Sequence, residues 1–246
     1  MADTKHELLM KALGPVADSI GETIQDIWDI AFGSIHLYAQ RKSIERAQNL
    51  EAFKRSFEQK VIEIPPSAIK EPALSLLGPT LEASKYYFEE ESIRELFATC
   101  AAASLDRRKE RELHPSFPEI IKQLSPADAK NLPLFTMQRP VVEYYTKQRG
   151  SEARKTVLTN VFLANKAETD LDLQSRSISS LTRLGLIEVE YEKMLVAEKF
   201  YADFYTTPFF INLSMEAKAR GITAGISPGR ARPTALGKAF ISVCLG

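Results

Sequence analysis

The 246-residue chain predicts a mainly α protein in two parts: a helical N-terminal bundle over residues 1–124 and an α+β domain over residues 125–246. Three observations carry this. Apolar residues recur at three- and four-residue steps from Val16 towards Val61, the stripe of an amphipathic helix. After residue 138 come runs rich in β-branched and aromatic residues, RPVVEYYT and KTVLTNVFL, which suit strands. Between the two regions stands HPSFPEIIKQLSPADAK, His114–Lys130, with two helix starts in quick succession. Ser116 with Glu119, and Ser125 with Pro126 and Asp128, put side-chain oxygens where helix N-termini leave backbone N–H groups without partners. Leu124 is the expected seam between the two parts.

Thr4 with Glu7 reads as a capping box opening a short helix that stops at Gly14-Pro15. Val16, Ile20, Ile24, Ile27, Ala31, Ile35 and Tyr38 then form one stripe, continued by Ile44, Ala47, Leu50, Phe53, Phe57 and Val61 up to Ile64-Pro65-Pro66. The stripe is expected to serve an intramolecular core, with a homodimer contact through this long N-terminal helix as the alternative. Pro66–Leu77 is the next expected helix, broken by Gly78-Pro79, with a further run to Tyr87. Ser92 and Glu95 are expected to cap IRELFATCAAASL, whose alanines Ala98, Ala101 and Ala102 allow close helix approach. Asp106–Glu112, DRRKERE, reads as a solvated loop or helix end.

In the second part, Arg139–Thr146 is expected as a strand, and Lys155–Leu163 as a strand or a helix. Leu173–Leu186 is expected as a helix ended by Gly185 in the left-handed conformation. Ile187–Tyr191 alternates as a strand. Residues 192–220 read as a helical insertion, Gly221–Pro233 as a basic Gly/Pro-rich loop, and Thr234–Cys244 as a closing helix.

Charge excludes some classes of function. Thirty-two basic and thirty-two acidic side chains cancel, so no global field draws the molecule to nucleic acid or anionic lipid. The two cysteines, Cys100 and Cys244, lie far apart in apolar sequence and read as buried thiols. The first residues lack the pattern of a signal peptide, and acids interrupt Val16–Tyr38, so no stable membrane insertion is expected. A cytoplasmic location is the default.

A helix ending in Leu-Gly-Leu-Ile, an alternating strand, and a later Thr-Ala-Leu-Gly resemble the second half of a winged helix. In that arrangement the helix carrying Arg176, Ser179 and Arg183 is the recognition helix, and Arg230 and Arg232 supply a basic rim. These five residues are the candidate macromolecule-binding set. Glu168, Asp170 and Asp172 stand at the start of the helix, where a phosphate-reading surface is poorly served by carboxylates. The chain has no Cys-x-x-Cys, His-Glu-x-x-His, Walker-type loop, nucleophile elbow or Gly-x-Gly-x-x-Gly, so no catalytic residue, metal site or cofactor is expected. The three histidines sit apart. His6 belongs to the first helix, His36 borders the apolar stripe, and His114 is expected to order a turn before Pro115.

Several of these stretches together resemble a known family. Gly14-Pro15 before the long helix, the Gly-Pro and Leu-Glu-Ala-Ser within Pro72–Ser84, Glu95–Ala98 and above all HPSFPEIIKQLSPADAK are similar to the bacterial Abi-alpha (abortive infection alpha) family. LTRLGLI and TALGKAF resemble its C-terminal half. His114, Pro115, Ser116, Phe117, Leu124, Ser125 and Pro126 match the family motif, with the structural task of fixing a helix–helix junction. The resemblance implies a cytoplasmic bacterial protein linked to phage resistance and supplies no reaction, cofactor or catalytic residue. The expected mode of action is contact with a protein partner. The rivals are a transcription regulator that binds DNA through the winged helix, a toxin acting on membranes through Val16–Tyr38, and a novel hydrolase.

Overall fold

The structure, a computed structural model, describes residues 44–246. The capping box at Thr4, the Val16–Tyr38 stripe with its dimer and membrane readings, His6 and His36 lie outside the described residues. The rest forms two compact units, one reaching Pro126 and taking in Ala239–Gly246, the other Ala127–Lys238.

The first unit is built from helices. α1 (Ile44–Ile62) turns Leu50, Phe53, Phe57 and Val61, all buried, towards α3 (Glu91–Ala103), as three- and four-residue spacing requires. Ala98, Ala101 and Ala102 of α3 are buried in turn. The expected cap at Ser92 is not used: α3 starts at Glu91, with Glu90, two residues before Ser92, at the N-cap position and no side-chain cap bond. Glu95 instead faces α1, where it accepts from Ser56 Oγ at 2.6 Å and pairs with Lys60 at 3.4 Å.

The expected break at Gly78-Pro79 is also absent. Pro66–Ala68 makes a single 3-10 turn, and one helix, α2 (Leu74–Ser84), runs through the proline. An internal proline costs about 3 kcal/mol. Burial of Leu76, Leu77 and Leu81, at about 1.5–3 kcal/mol each, outweighs that. Thr80 Oγ1 also donates to the Leu76 carbonyl at 2.6 Å. Cys100 and Cys244 are both free and buried. Burial pushes the Cys244 thiol well above its ordinary range, with the Cys100 thiol beside it adding to the effect.

The second unit is a mixed α+β structure. Its sheet has four antiparallel strands in the order β2-β1-β4-β3, with β1 Arg139–Gln148, β2 Arg154–Val161, β3 Ile187–Glu190 and β4 Ile222–Pro233. The stretch expected as a Gly/Pro-rich loop is therefore the longest strand of this sheet, and the described residues form a mixed α+β structure and not a clearly mainly α one. Tertiary packing overrides the local turn signal for two visible reasons. A side chain at Gly225 would meet the Tyr145 ring at 2.6 Å, and one at Gly229 the Tyr191 ring at 2.7 Å, so these glycines let aromatic rings lie on the strand. Pro228 is tolerated because β3 pairs only with residues 230–233, leaving β1 as the strand partner where the proline lacks its N–H.

The region read as an insertion forms the roof of this sheet. A 3-10 stretch, Glu198–Thr206, leads into a helix, Pro208–Ala219. Tyr201, Phe204 and Phe210 pack with Val142, Tyr144, Val161 and Ile226 in one buried cluster. The ring hydroxyls are satisfied: Tyr144 donates to the Phe204 carbonyl at 2.8 Å, and Tyr201 to the Gly229 carbonyl at 2.8 Å.

Candidate functional site

The helix carrying the predicted contact residues runs from Leu171 to Arg183. Numbered along the chain, with α4 at Phe117–Ile121 and α5 at Pro126–Asn131, it is α6. It opens at Asp170, whose carboxylate accepts the N–H groups of Asp172 and Leu173 at 2.9 and 3.1 Å. One of the three acids that weigh against DNA is thus a helix cap. At its other end Gly185 has φ +71°. Gly185 N–H donates to Thr182 O and Leu186 N–H to Leu181 O, both at 3.0 Å, the paired bonds of a Schellman ending. The inner face is held by a polar cluster, in which Asn131 Nδ2 donates to Gln174 Oε1 at 2.8 Å and Ser177 Oγ at 2.9 Å. Asp172, Arg176, Ser179 and Arg183 are exposed, and their spacing puts them on one outer stripe.

Beside that stripe lies a strained residue the sequence did not flag. Asn160 has φ +51°, the one non-glycine with positive φ among the described residues. It sits where the β1–β2 register shifts between Val142 and Tyr144. Three bonds hold it there: its N–H donates to Tyr191 Oη at 2.8 Å, the Tyr191 hydroxyl donates to its Oδ1 at 2.9 Å, and its Nδ2 donates to Ser179 Oγ at 2.9 Å. Burial pushes the Tyr191 hydroxyl up to about 12, against the pull of the Asn160 N–H, so it stays a donor. The hub ties β2, α6 and the end of β3 together at the α6 surface. A positive φ has no signature in composition, although Asn is the residue most tolerant of it after glycine.

Arg230 and Arg232 do not form the free basic rim expected of them. They stand on β4 opposite Glu190 and Glu188 of β3. Arg230 lies 2.8 Å from Glu190, and Arg232 lies 2.8 Å from Glu188 and 3.5 Å from Glu190. Hydrogen bonds from Lys193 and then Arg230 hold the Glu190 carboxyl down to about 2. The strand alternation IEVEY placed the two glutamates on one face; only the pairing with β4 sets arginines across from them.

The family-motif residues divide. Phe117 and Leu124 are buried, with Phe117 edge-on to Phe240 at 5.1 Å. His114, Pro115, Ser125 and Pro126 are exposed and Ser116 partly so. The expected Ser116 cap bond to α4 is not made. Ser116 Oγ lies 2.6 Å from His114 Nδ1, which also accepts the Ser116 N–H at 3.2 Å, so the histidine orders this turn. Pro126 opens α5, with Asp128 in its first turn.

The first unit also holds a cleft of about 560 Å³ lined by Lys60, Thr99, Asp106, Arg108, Lys109 and Ser242 among others. Asp106, expected in a solvated run, is buried. Burial opposes its ionisation, but Arg108 outweighs this through hydrogen bonds and charge and holds the carboxyl below its ordinary range. Lys109 Nζ donates to Ser242 O at 2.8 Å. With Lys60 on Glu95 and Arg108 on Asp106 at 2.6 Å, the cations of the cleft are already engaged. No group of three or more His, Cys, Asp or Glu among the described residues could hold a metal ion.

A family model described as abortive infection alpha matches residues 45–244. The chain belongs to the abortive infection alpha family. No curated protein and no solved structure matches it significantly. The family match spans the His114–Pro126 turn, the α6 stripe and the strands around it. It also takes in two C-terminal motifs that interlock within the second unit. Thr234 donates its N–H to Leu186 O at 3.1 Å and accepts the Gly237 N–H at 2.9 Å. A side chain on Gly237 would fall 1.8 Å from the Leu186 carbonyl oxygen. The glycines of LTRLGLI and TALGKAF thus serve one helix ending and one close backbone crossing. Among the described residues no helix is long and apolar enough to cross a membrane.

Proposed function

We propose that this member of the abortive infection alpha family is a non-catalytic phage-defence protein of the cytoplasm, acting by contact with a protein partner through the outer stripe of α6. The observation that supports the reading is the exposed row Asp172, Arg176, Ser179 and Arg183, braced from beneath by Asn160 and the Asn131 cluster. A row that mixes both signs of charge suits a protein surface better than a phosphate backbone, which rewards cations alone. β3 follows α6 directly, as a wing strand follows the contact helix of a winged helix, with the 3-10 stretch and the Pro208–Ala219 helix standing between β3 and β4. The pairing of Arg230 and Arg232 with glutamates weighs against the regulator reading, since those arginines are not available to phosphates.

Plaque counts test the proposal. Expression of the wild-type chain is expected to lower plaque formation by some phages, and Arg176→Glu with Arg183→Glu to restore it while the melting temperature stays unchanged. Undiminished plaques across a broad phage panel with the wild-type chain would remove the defence reading. Full protection by the folded double variant would remove the α6 surface.

A further inference from the structure

We infer that the outer stripe of α6 docks on the same stripe of a second copy of this chain, the two helices running antiparallel about a two-fold axis. This rests on the reading of α6 as a contact surface and names its partner. The stripe is Asp172, Arg176, Ser179 and Arg183, in steps of four, three and four residues. Such spacing keeps the four side chains in one straight row along a helix, and it is the same from either end. In an antiparallel pair centred between Ser177 and Ile178, Asp172 therefore stands opposite the second copy's Arg183, and Arg176 opposite its Ser179.

Charge decides the orientation and the partner. A parallel pair would set Asp172 on Asp172, Arg176 on Arg176 and Arg183 on Arg183, so that each charge meets its like, which disfavours the contact. The antiparallel pair sets Asp172 on Arg183 once on each side of the axis and puts no charge directly opposite its like. A surface in which one residue meets a second, and the second meets the first, is the signature of two-fold association between identical chains. The helix ends agree with this. Asp170 caps the N-terminus and Asp172 stands in the first turn, whereas Arg183 stands in the last. Antiparallel packing lays the acidic end of each helix beside the basic end of the other, with the two helix dipoles opposed.

The centre of the row suits a close crossing. Ser179 and Ser180 are small, and the apolar stem of Arg176 can lie over the second copy's serines with its guanidinium at the edge. Ser179 Oγ donates to the Ser175 carbonyl at 2.8 Å and accepts from Asn160 Nδ2 at 2.9 Å. A hydroxyl has two acceptor positions, so one is left for the second copy's Arg176. The Asp172 and Arg176 side chains have no hydrogen bond or ion pair among the described residues. Arg183 has a contact within its own chain, and its five N–H donors leave room for a carboxylate as well. The two Arg176 side chains approach across the axis, but they are offset by about 4.5 Å along it, and each has a serine of the other copy as its acceptor. A single helix face without a large apolar centre places this dimer in the weak, salt-sensitive class.

Sedimentation velocity of the full chain, from about 10 μM to about 1 mM, tests the inference. The wild-type chain should shift from monomer towards dimer over this range, and less so as salt rises from about 50 to about 500 mM. Asp172→Lys opposes a cation to Arg183, and Arg183→Glu opposes an acid to Asp172. Each variant alone should lose at least about ten-fold in association. Their equimolar mixture should dimerise again, because every reversed charge then meets an opposite charge on the other chain. Recovery on mixing cannot come from misfolded protein, and melting temperatures check each variant by itself. If either fails to fold, Asp172→Asn and Arg183→Gln take their place: each should weaken association, and the mixture should regain one of the two ion pairs. The inference is overturned by a wild-type chain that stays monomeric at about 1 mM, by single variants that associate as the wild type does, or by a mixture no more dimeric than its parts. Plaque counts keep the two readings apart. Protection lost with Arg176→Glu and Arg183→Glu, alongside any of those results, leaves α6 a contact surface whose partner is a different protein.

Discussion

Glu190 shows how one carboxyl is set by its neighbours. Lys193 and Arg230 hold it down to about 2, from an ordinary 4.5. A depressed pKa in the fold means that folding favours the ionised form. The stabilisation is complete above about 4.5 and is lost as pH falls towards 2. An NMR titration of the Glu190 side chain should give a midpoint near 2, and Arg230→Gln should raise it. A wild-type midpoint near 4.5 would mean that the β3–β4 ion pairs are not formed in solution. Gly237 is a second single-atom constraint. Its absent Cβ leaves room for the Leu186 carbonyl, a backbone atom that cannot rotate away. Gly237→Ala should lower unfolding stability by about 2–3 kcal/mol in a denaturant titration. A change within a few tenths of a kcal/mol would mean that the crossing is looser than its geometry.

Among the elements, β4 departs furthest from its local signals. Three glycines or prolines occupy positions 225, 228 and 229, yet ten of its residues pair with β1 and four with β3. Hydrogen exchange should find the β4 amides that face β1 protected as strongly as those of β1 itself, because both share one ladder. Exchange at loop rates over residues 222–230 would restore the loop reading. α2 makes the same point for helices. Three buried leucines keep it intact through Gly78-Pro79, where local rules end a helix.

At the scale of the molecule, each unit has a core of its own. Phe57 is buried in the first, and Tyr144 in the cluster of the second. Phe57→Ala removes a large buried ring at about 3–5 kcal/mol. Hydrogen exchange should show α1 and α3 losing protection while β1 and β4 keep theirs. Equal losses in both would mean that the chain unfolds as one cooperative block. Charge follows the same division by place. The total is zero, so salt-dependent binding has to come from a local set of cations and not from the chain as a whole.

The long-period signals were legible in the chain itself. The stripe Leu50–Val61, the strand at Arg139, the α6 helix and its Gly185 ending all follow from side-chain spacing or from a backbone requirement that glycine alone meets cheaply. The family motif was readable too, because its residues are contiguous. What only the tertiary structure decided are the features made by residues far apart in sequence. β4 is a strand because rings from β1 and from beyond β3 cover its glycines, and Arg230 and Arg232 are spent on glutamates forty or more positions earlier. Asn160 is held in a left-handed conformation by Tyr191 and Ser179. Local spacing reports which face of an element is apolar; it carries no information on which other element will lie against that face.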